Sequence, residues 1–134
     1  MVQKQILLID DDPLIVRTLR RSISLRISSD MEFCFHEASS GDEAIEILKE
    51  LGAQINAVIC DNNMSKKSGM DVLREMRHHL KLQIPFCMFS SNLKEADVNV
   101  IIRLDGYFIQ KCSSRDFERI LRFVTKALDI ERQS

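Results

Sequence analysis

The sequence predicts an α/β fold, a five-stranded parallel sheet between helical layers. Five short apolar runs alternate strictly with amphipathic stretches along the 134 residues. Such alternation implies right-handed crossovers and a parallel sheet. The first run is continuously apolar, as in a strand covered on both faces. A hydrophobic content of 45% in a chain of this length suits one compact domain with a sizeable core.

The first strand is "QILLI" (5–9), which runs straight into Asp10, Asp11 and Asp12. Asp12 has the position and chemistry of a helix N-cap, and Pro13 suits the first helical position. Ile15, Leu19, Ile23 and Ile27 then recur every four residues and mark the buried face of that helix. "MEFCFHE" (31–37) sets Met31, Phe33 and Phe35 against Glu32, Cys34 and His36, the period-two pattern of a half-exposed edge strand. Ser40 with Glu43 forms a capping-box signature, and Ala44, Ile45, Leu48 and Leu51 supply the stripe of the second helix.

"NAVIC" (56–60) reads as a third strand ending on Asp61, and Met70, Leu73, Met76 and Leu80 mark the helix after it. "IPFCMF" (84–89) is a fourth strand running into Ser90 and Ser91, and "VNVIIRL" (98–104) is a short apolar helix. "YFIQ" (107–110) is a fifth strand ending at Lys111. A last helix, capped by Ser113 or Ser114, carries Phe117, Ile120, Leu121, Val124 and Leu128. The expected organisation is one domain over 1–134, with a core of about 4–130 and a polar tail at 131–134.

Nineteen basic and twenty acidic residues give a net charge of -1, so the global balance draws the chain toward neither nucleic acid nor an anionic membrane. No apolar run approaches the roughly 18 to 20 residues of a membrane span, and the start "MVQKQ" lacks the regions of a signal peptide. The expected location is the cytoplasm. The four cysteines, at 34, 60, 87 and 112, are widely spaced and read as reduced thiols rather than a metal site or disulfide framework.

In an open parallel sheet, functional residues collect at the carboxyl ends of the strands. Those ends supply Asp10 and Asp11, Asp61, Ser90 and Lys111. Carboxylates about 4 Å apart repel by about 4 kcal/mol at an effective dielectric near 20, unless a proton or cation intervenes. Hard carboxylate oxygens suit Mg²⁺, which keeps several waters and takes one or two protein carboxylates with phosphate oxygens. A lysine, a hydroxyl and a metal around one carboxylate make a site for a phosphoryl group, with Asp61 as nucleophile giving an acyl phosphate.

These residues resemble the receiver domain of two-component response regulators, from about residue 4 to 130. The motifs are "LLIDDDP" (7–13), "VICDNNMSKKSGMDVL" (58–73), "CMFSSN" (87–92) and "GYFIQK" (106–111). Fifty residues separate Asp11 from Asp61, twenty-nine separate Asp61 from Ser90, and twenty-one separate Ser90 from Lys111. The resemblance implies a flavodoxin-like (βα)5 fold with strand order 2-1-3-4-5. It implies that Asp10, Asp11, Asp61 and the backbone carbonyl of Asn63 hold Mg²⁺. Asp61 then accepts phosphate from a sensor histidine kinase or phosphotransfer protein, and Ser90 and Lys111 contact the phosphoryl oxygens. Ser90 and Phe108 take the switch positions, and Asn63 and Asn92 the positions that tune phosphoryl lifetime. The surface of the fourth helix, fifth strand and fifth helix would then change its affinity for an effector or output domain, or for a second copy in a phosphorylation-dependent homodimer. Such a domain is no enzyme beyond its own phosphorylation and dephosphorylation.

The sequence departs from the family at several loops. The usual proline after the loop methionine is Ser65, and the usual proline after the lysine is Cys112. A cis bond is commonly found there in the family and costs about 2.5 to 4 kcal/mol without proline, so the Lys111–Cys112 bond is expected to be trans or strained. The Ser90–Lys111 spacing is about one residue short, which predicts a shortened or irregular fourth helix. His78 and His79 diverge by about 100° on a helix and read as a solvated face; Lys66 and Lys67 read as a basic loop near the site. Cys60 reads as buried packing and Cys112 as loop filling. Two other readings stand beside the phosphorylation switch: a receiver-like interaction module that no longer signals by phosphate, and a small phosphatase of the haloacid dehalogenase type, since Asp10 and Asp12 also satisfy a DxD pattern.

Overall fold

The five apolar runs become β1 (Val2–Ile9), β2 (Met31–Ala38), β3 (Ala57–Cys60), β4 (Phe86–Ser90) and β5 (Tyr107–Gln110) in the computed structural model of the protein, which describes residues 2–27, 30–112 and 115–128. The helices are α1 (Pro13–Arg26), α2 (Gly41–Leu51), α3 (Gly69–Arg74), α4 (Glu95–Arg103) and α5 (Asp116–Ala127). Neighbouring strands all pair in parallel, in the order β2-β1-β3-β4-β5. The sheet is the one the alternating pattern predicts, and its order is the one the resemblance implies.

Successive side chains of a strand point to opposite faces, and the core divides accordingly. Leu7, Ile9, Val58, Cys60 and Met88 pack under α2, α3 and α4, against Leu48, Leu73 and Ile101. Ile6, Leu8, Ile59, Cys87 and Phe89 pack on the other face under α1 and α5, against Leu19, Ile23, Ile120 and Val124. β1 begins earlier than its apolar run. Its whole length pairs with β2, from Val2 opposite Met31 to Ile9 opposite Ala38, whereas pairing with β3 starts only at Ile6. Gln3 and Lys4 therefore lie where the strand has a single paired neighbour, while Gln5 O already accepts from Asn56 N–H at 2.8 Å. β2 is the half-exposed edge strand expected from its alternation.

Asp12 caps α1, its carboxylate accepting from the Leu14 N–H at 2.9 Å. The buried face of α1 runs through Val16, Leu19 and Ile23 and ends at Ile27; Ile15, expected in that face, is only half-buried because the spacing of three between 16 and 19 sets the stripe. Ser40 caps α2 by accepting from Glu43 N–H, but the Glu43 carboxylate takes the Ser39 hydroxyl. Ser68 and Asp71 form the full reciprocal box at the start of α3. α4 starts at Glu95 and buries only Ile101 completely. The short apolar helix expected over 98–104 is thus longer and largely solvent-facing, because little of the chain packs over it. The expected caps of α5, Ser113 and Ser114, and the tail 131–134 lie outside the described residues.

α3 does not stay α-helical. It passes into a π-helical turn, Glu75–His79, in which Leu80 N–H reaches back five residues to Glu75 O. The turn carries Arg77 inward to a buried position. Its guanidinium donates to Leu82 O, Ile84 O and Leu104 O, each at 2.8 Å, and to Asp105 O at 3.3 Å. One side chain thereby ties the end of α3 to the entry of β4 and to the turn after α4. Burial lowers the guanidinium's pKa from its ordinary value, and the four carbonyl dipoles offset that desolvation. No helix among the described residues is long and apolar enough to cross a membrane.

Candidate functional site

The site is assembled by ladder bonds at the carboxyl ends of the strands. Asp10 N–H donates to Ala38 O at 3.0 Å, Asp61 N–H to Ile9 O at 2.8 Å, and Lys111 N–H to Ser90 O at 2.9 Å. The residue that follows each of β1, β3 and β5 is therefore held by the neighbouring strand. One oxygen from each of Asp10, Asp11 and Asp61 lies within 4.8 Å of the others. Asp10 and Asp61 are 6% and 7% exposed, while Asp11 opens to solvent. The Asp10 carboxylate is oriented by Asp12 N–H at 2.9 Å.

Lys111 Nζ stands 3.7 Å from Asp10 Oδ2 and 3.9 Å from Asp61 Oδ1. It also lies 4.7 Å from the centroid of the Phe89 ring. Burial raises the Asp10 carboxyl above its ordinary pKa; the Asp12 N–H opposes the shift and the Asp61 charge adds to it. Burial raises Asp61 too, with Lys111 as the chief opposing charge. One ammonium does not compensate three carboxylates at this range. The donor set is all oxygen, partly buried and anionic, which fits a hard divalent cation such as Mg²⁺.

Ser90 is fully buried, and its Oγ accepts from Asn63 Nδ2 at 3.1 Å and from Asn92 N–H at 3.5 Å. With its lone pairs so occupied, the hydroxyl hydrogen is left to donate. Phe108 is half-buried and packs against the core under α3 and α4. The structure thus brings Asp10, Asp11, Asp61 and Lys111 together and joins Ser90, Asn63 and Asn92 in one hydrogen-bonded group.

The Lys111–Cys112 bond is trans, there being no cis peptide among the described residues. The amide that a proline would lack has a use: Cys112 N–H donates to Asp116 Oδ2 at 2.7 Å and so holds the start of α5. In the loop after β3, Asn62 accepts from Met70 N–H through its side chain and from Met64 and Gly69 through its carbonyl. Lys66, in the same loop, takes a left-handed φ of 69°. A Cβ on Gly69 would stand 2.6 Å from Asp61 O. The reading from sequence missed Asn62, Gly69 and Phe89; a Ser-Gly pair before an apolar helix was the available signal for the glycine. His78 and His79 are exposed, with His79 paired to Glu75 at 2.7 Å, and Lys67 pairs with Asp42 at 3.4 Å. All four cysteines are free thiols, Cys60 buried and Cys112 exposed.

The family model of the response regulator receiver domain matches residues 6–125. The chain belongs to that family. Receiver domains serve phosphorylation-based signalling in two-component systems and are signalling domains rather than ordinary enzymes. Among curated relatives, this receiver domain is 35% identical over 72 residues to the sensor kinase CckA of Brucella abortus, covering 54% of this chain and 7% of that one. It is 28% identical over 107 residues to the nitrate/nitrite response regulator protein NarP of Escherichia coli, covering 79% of this chain and 47% of that one. The chain therefore spans less than half the length of both relatives. Among solved structures, the phosphorylated cyanobacterial phytochrome response regulator RcpA superposes with a TM-score of 0.82 at 21% identity, over 99% of this chain and 100% of that one. The Mn²⁺-bound form of the response regulator Rcp1 superposes with 0.76 at 23% identity, over 98% and 99%. At such identities the superpositions establish the fold.

Proposed function

We propose that this receiver domain is a phosphorylation switch in which Asp61 is the phosphoacceptor. The observation that carries the reading is the convergence of Asp10, Asp11 and Asp61 beside Lys111. An Asp61 oxygen forms a bond to phosphorus as the bond from phosphorus to the donor breaks, the donor being a phosphohistidine of a sensor kinase or phosphotransfer protein. Asp10, Asp11, Asp61 and the carbonyl of Asn63 would hold Mg²⁺, which would supply countercharge for the transferring group. Lys111 and the Ser90 hydroxyl donate to the new phosphoryl oxygens, and Asn63 and Asn92 influence how long the group survives. Movement of Ser90, with Phe108 following, shifts the surface of α4, β5 and α5 between two packings and so changes its affinity for an effector. The related RcpA is phosphorylated and the related Rcp1 binds Mn²⁺, which supports the reading, as does the kinase and regulator character of the curated relatives. The expected setting is the cytoplasm.

The test compares wild type with Asp61→Asn, incubated with acetyl phosphate and Mg²⁺ and weighed intact by mass spectrometry. A single added phosphoryl group that requires both Asp61 and Mg²⁺ is expected. Equal labelling of both proteins removes Asp61 from this role, and no labelling of wild type leaves a module that acts without phosphate.

A further inference from the structure

We propose that Phe89 is a positioning residue for Lys111, its ring holding the ammonium over the acidic cluster; the proposal rests on the phosphoryl-transfer reading above. Lys111 Nζ is 3.7 Å from Asp10 Oδ2 and 3.9 Å from Asp61 Oδ1. Charge-assisted hydrogen bonds of this kind close to about 2.7 to 2.9 Å, so neither acid has captured the ammonium. A flexible four-carbon stem with 25% of its side-chain surface exposed does not hold such a position by itself. Among the described residues the ammonium also meets the Phe89 ring, whose centroid is 4.7 Å from Nζ and whose face attracts cations.

That ring is a fixed platform. Phe89 is 3% exposed, its backbone is paired opposite Ile109 in β5, and Phe117 packs edge-on against it at 6.0 Å and 69°. Alternation along β4 sends Phe89 to the α1 and α5 face while its neighbour Ser90 takes the opposite side. Consecutive residues of one strand therefore serve one phosphoryl site, Ser90 directly and Phe89 through Lys111. With the ring's pull weakened, the ammonium settles onto Asp61, where it covers the nucleophilic oxygen and reduces its reactivity.

The test keeps the shape of the ring and changes its charge distribution. Phenylalanine at position 89 is replaced in the full chain by its 4-fluoro, 3,5-difluoro and 3,4,5-trifluoro analogues, which progressively weaken cation attraction. Phosphorylation by acetyl phosphate with Mg²⁺ is expected to slow in graded steps, by roughly five- to thirty-fold across the series, with the melting temperature unchanged. Nuclear magnetic resonance of the unphosphorylated protein is expected to show the Lys111 ε-methylene protons shielded by the ring, and the shielding lost in Phe89→Leu. A flat series in a wild type that labels normally overturns the inference alone, as does the absence of shielding. Failure of the wild type to label removes the phosphoryl-transfer reading and the positioning role together, a result distinct from a flat series.

Discussion

Asn63 Nδ2 donates to Ser90 Oγ across 3.1 Å, joining the loop after β3 to the end of β4. Because the serine oxygen accepts there, its own hydrogen is free to serve an incoming phosphoryl oxygen. In Asn63→Ala the hydroxyl loses that orientation. Phosphoryl uptake from acetyl phosphate is expected to fall about three- to ten-fold, consistent with one hydrogen bond of about 1 kcal/mol. An unchanged rate by intact-mass kinetics would show that the bond does not prepare the serine.

The acidic cluster sets a pH dependence. Burial raises Asp10 and Asp61 above their ordinary values, so the native state keeps protons that the unfolded chain has already released. The contribution of these two groups to stability is then greatest below the unfolded value near pH 4 and falls as pH rises through the raised folded values. In metal-free buffer at neutral pH, Asp10→Asn is expected to melt about 3 to 5 °C higher than wild type, for a gain of about 1 kcal/mol. Mg²⁺ raises the melting temperature of wild type by mass action and that of Asp10→Asn much less. Thermal scans between pH 4 and 8, with chelator or Mg²⁺, check both signs; a variant less stable than wild type without metal contradicts the account.

Arg77 holds four backbone carbonyls through one guanidinium. Arg77→Met leaves those acceptors without this donor in a buried place and is expected to cost about 2 to 4 kcal/mol by urea denaturation. Arg77→Lys recovers only part, since an ammonium lacks the planar fork that reaches two segments at once. Hydrogen exchange should quicken most around 101–106 in both variants.

Lys81 sits at φ 55°, one residue beyond the Leu80 cap of the π-helical turn, with Leu82 N–H bonded to Met76 O. This is the left-handed helix terminus that glycine occupies without a Cβ penalty. Lys81→Gly is therefore expected to stabilise the domain by about 1 kcal/mol, read as a higher denaturation midpoint at unchanged slope. A loss of stability would show that the entropy glycine gives up outweighs the relieved strain.

The sequence by itself determined the elements whose causes are short-range. The run at 5–9 must be covered on both faces, the Asp12-Pro13 pair caps and starts a helix, and β5 occupies the residues its pattern predicts. Strand ends alone also brought Asp10, Asp11, Asp61, Ser90 and Lys111 into one list, because a parallel sheet places all its carboxyl ends on one edge. Tertiary structure decided which distant groups meet. The stripe of α1 turned on Val16 rather than Ile15, and α4 proved mostly exposed. The π turn placed Arg77 among carbonyls as far as twenty-eight residues away. Lys111 above Phe89, Asn63 on Ser90 and the Cys112 amide on Asp116 depend on register and on loop paths. Periodicity and capping act over a turn or a strand, whereas these contacts exist only after β3, β4 and β5 have paired, and no local pattern encodes a distance between strands.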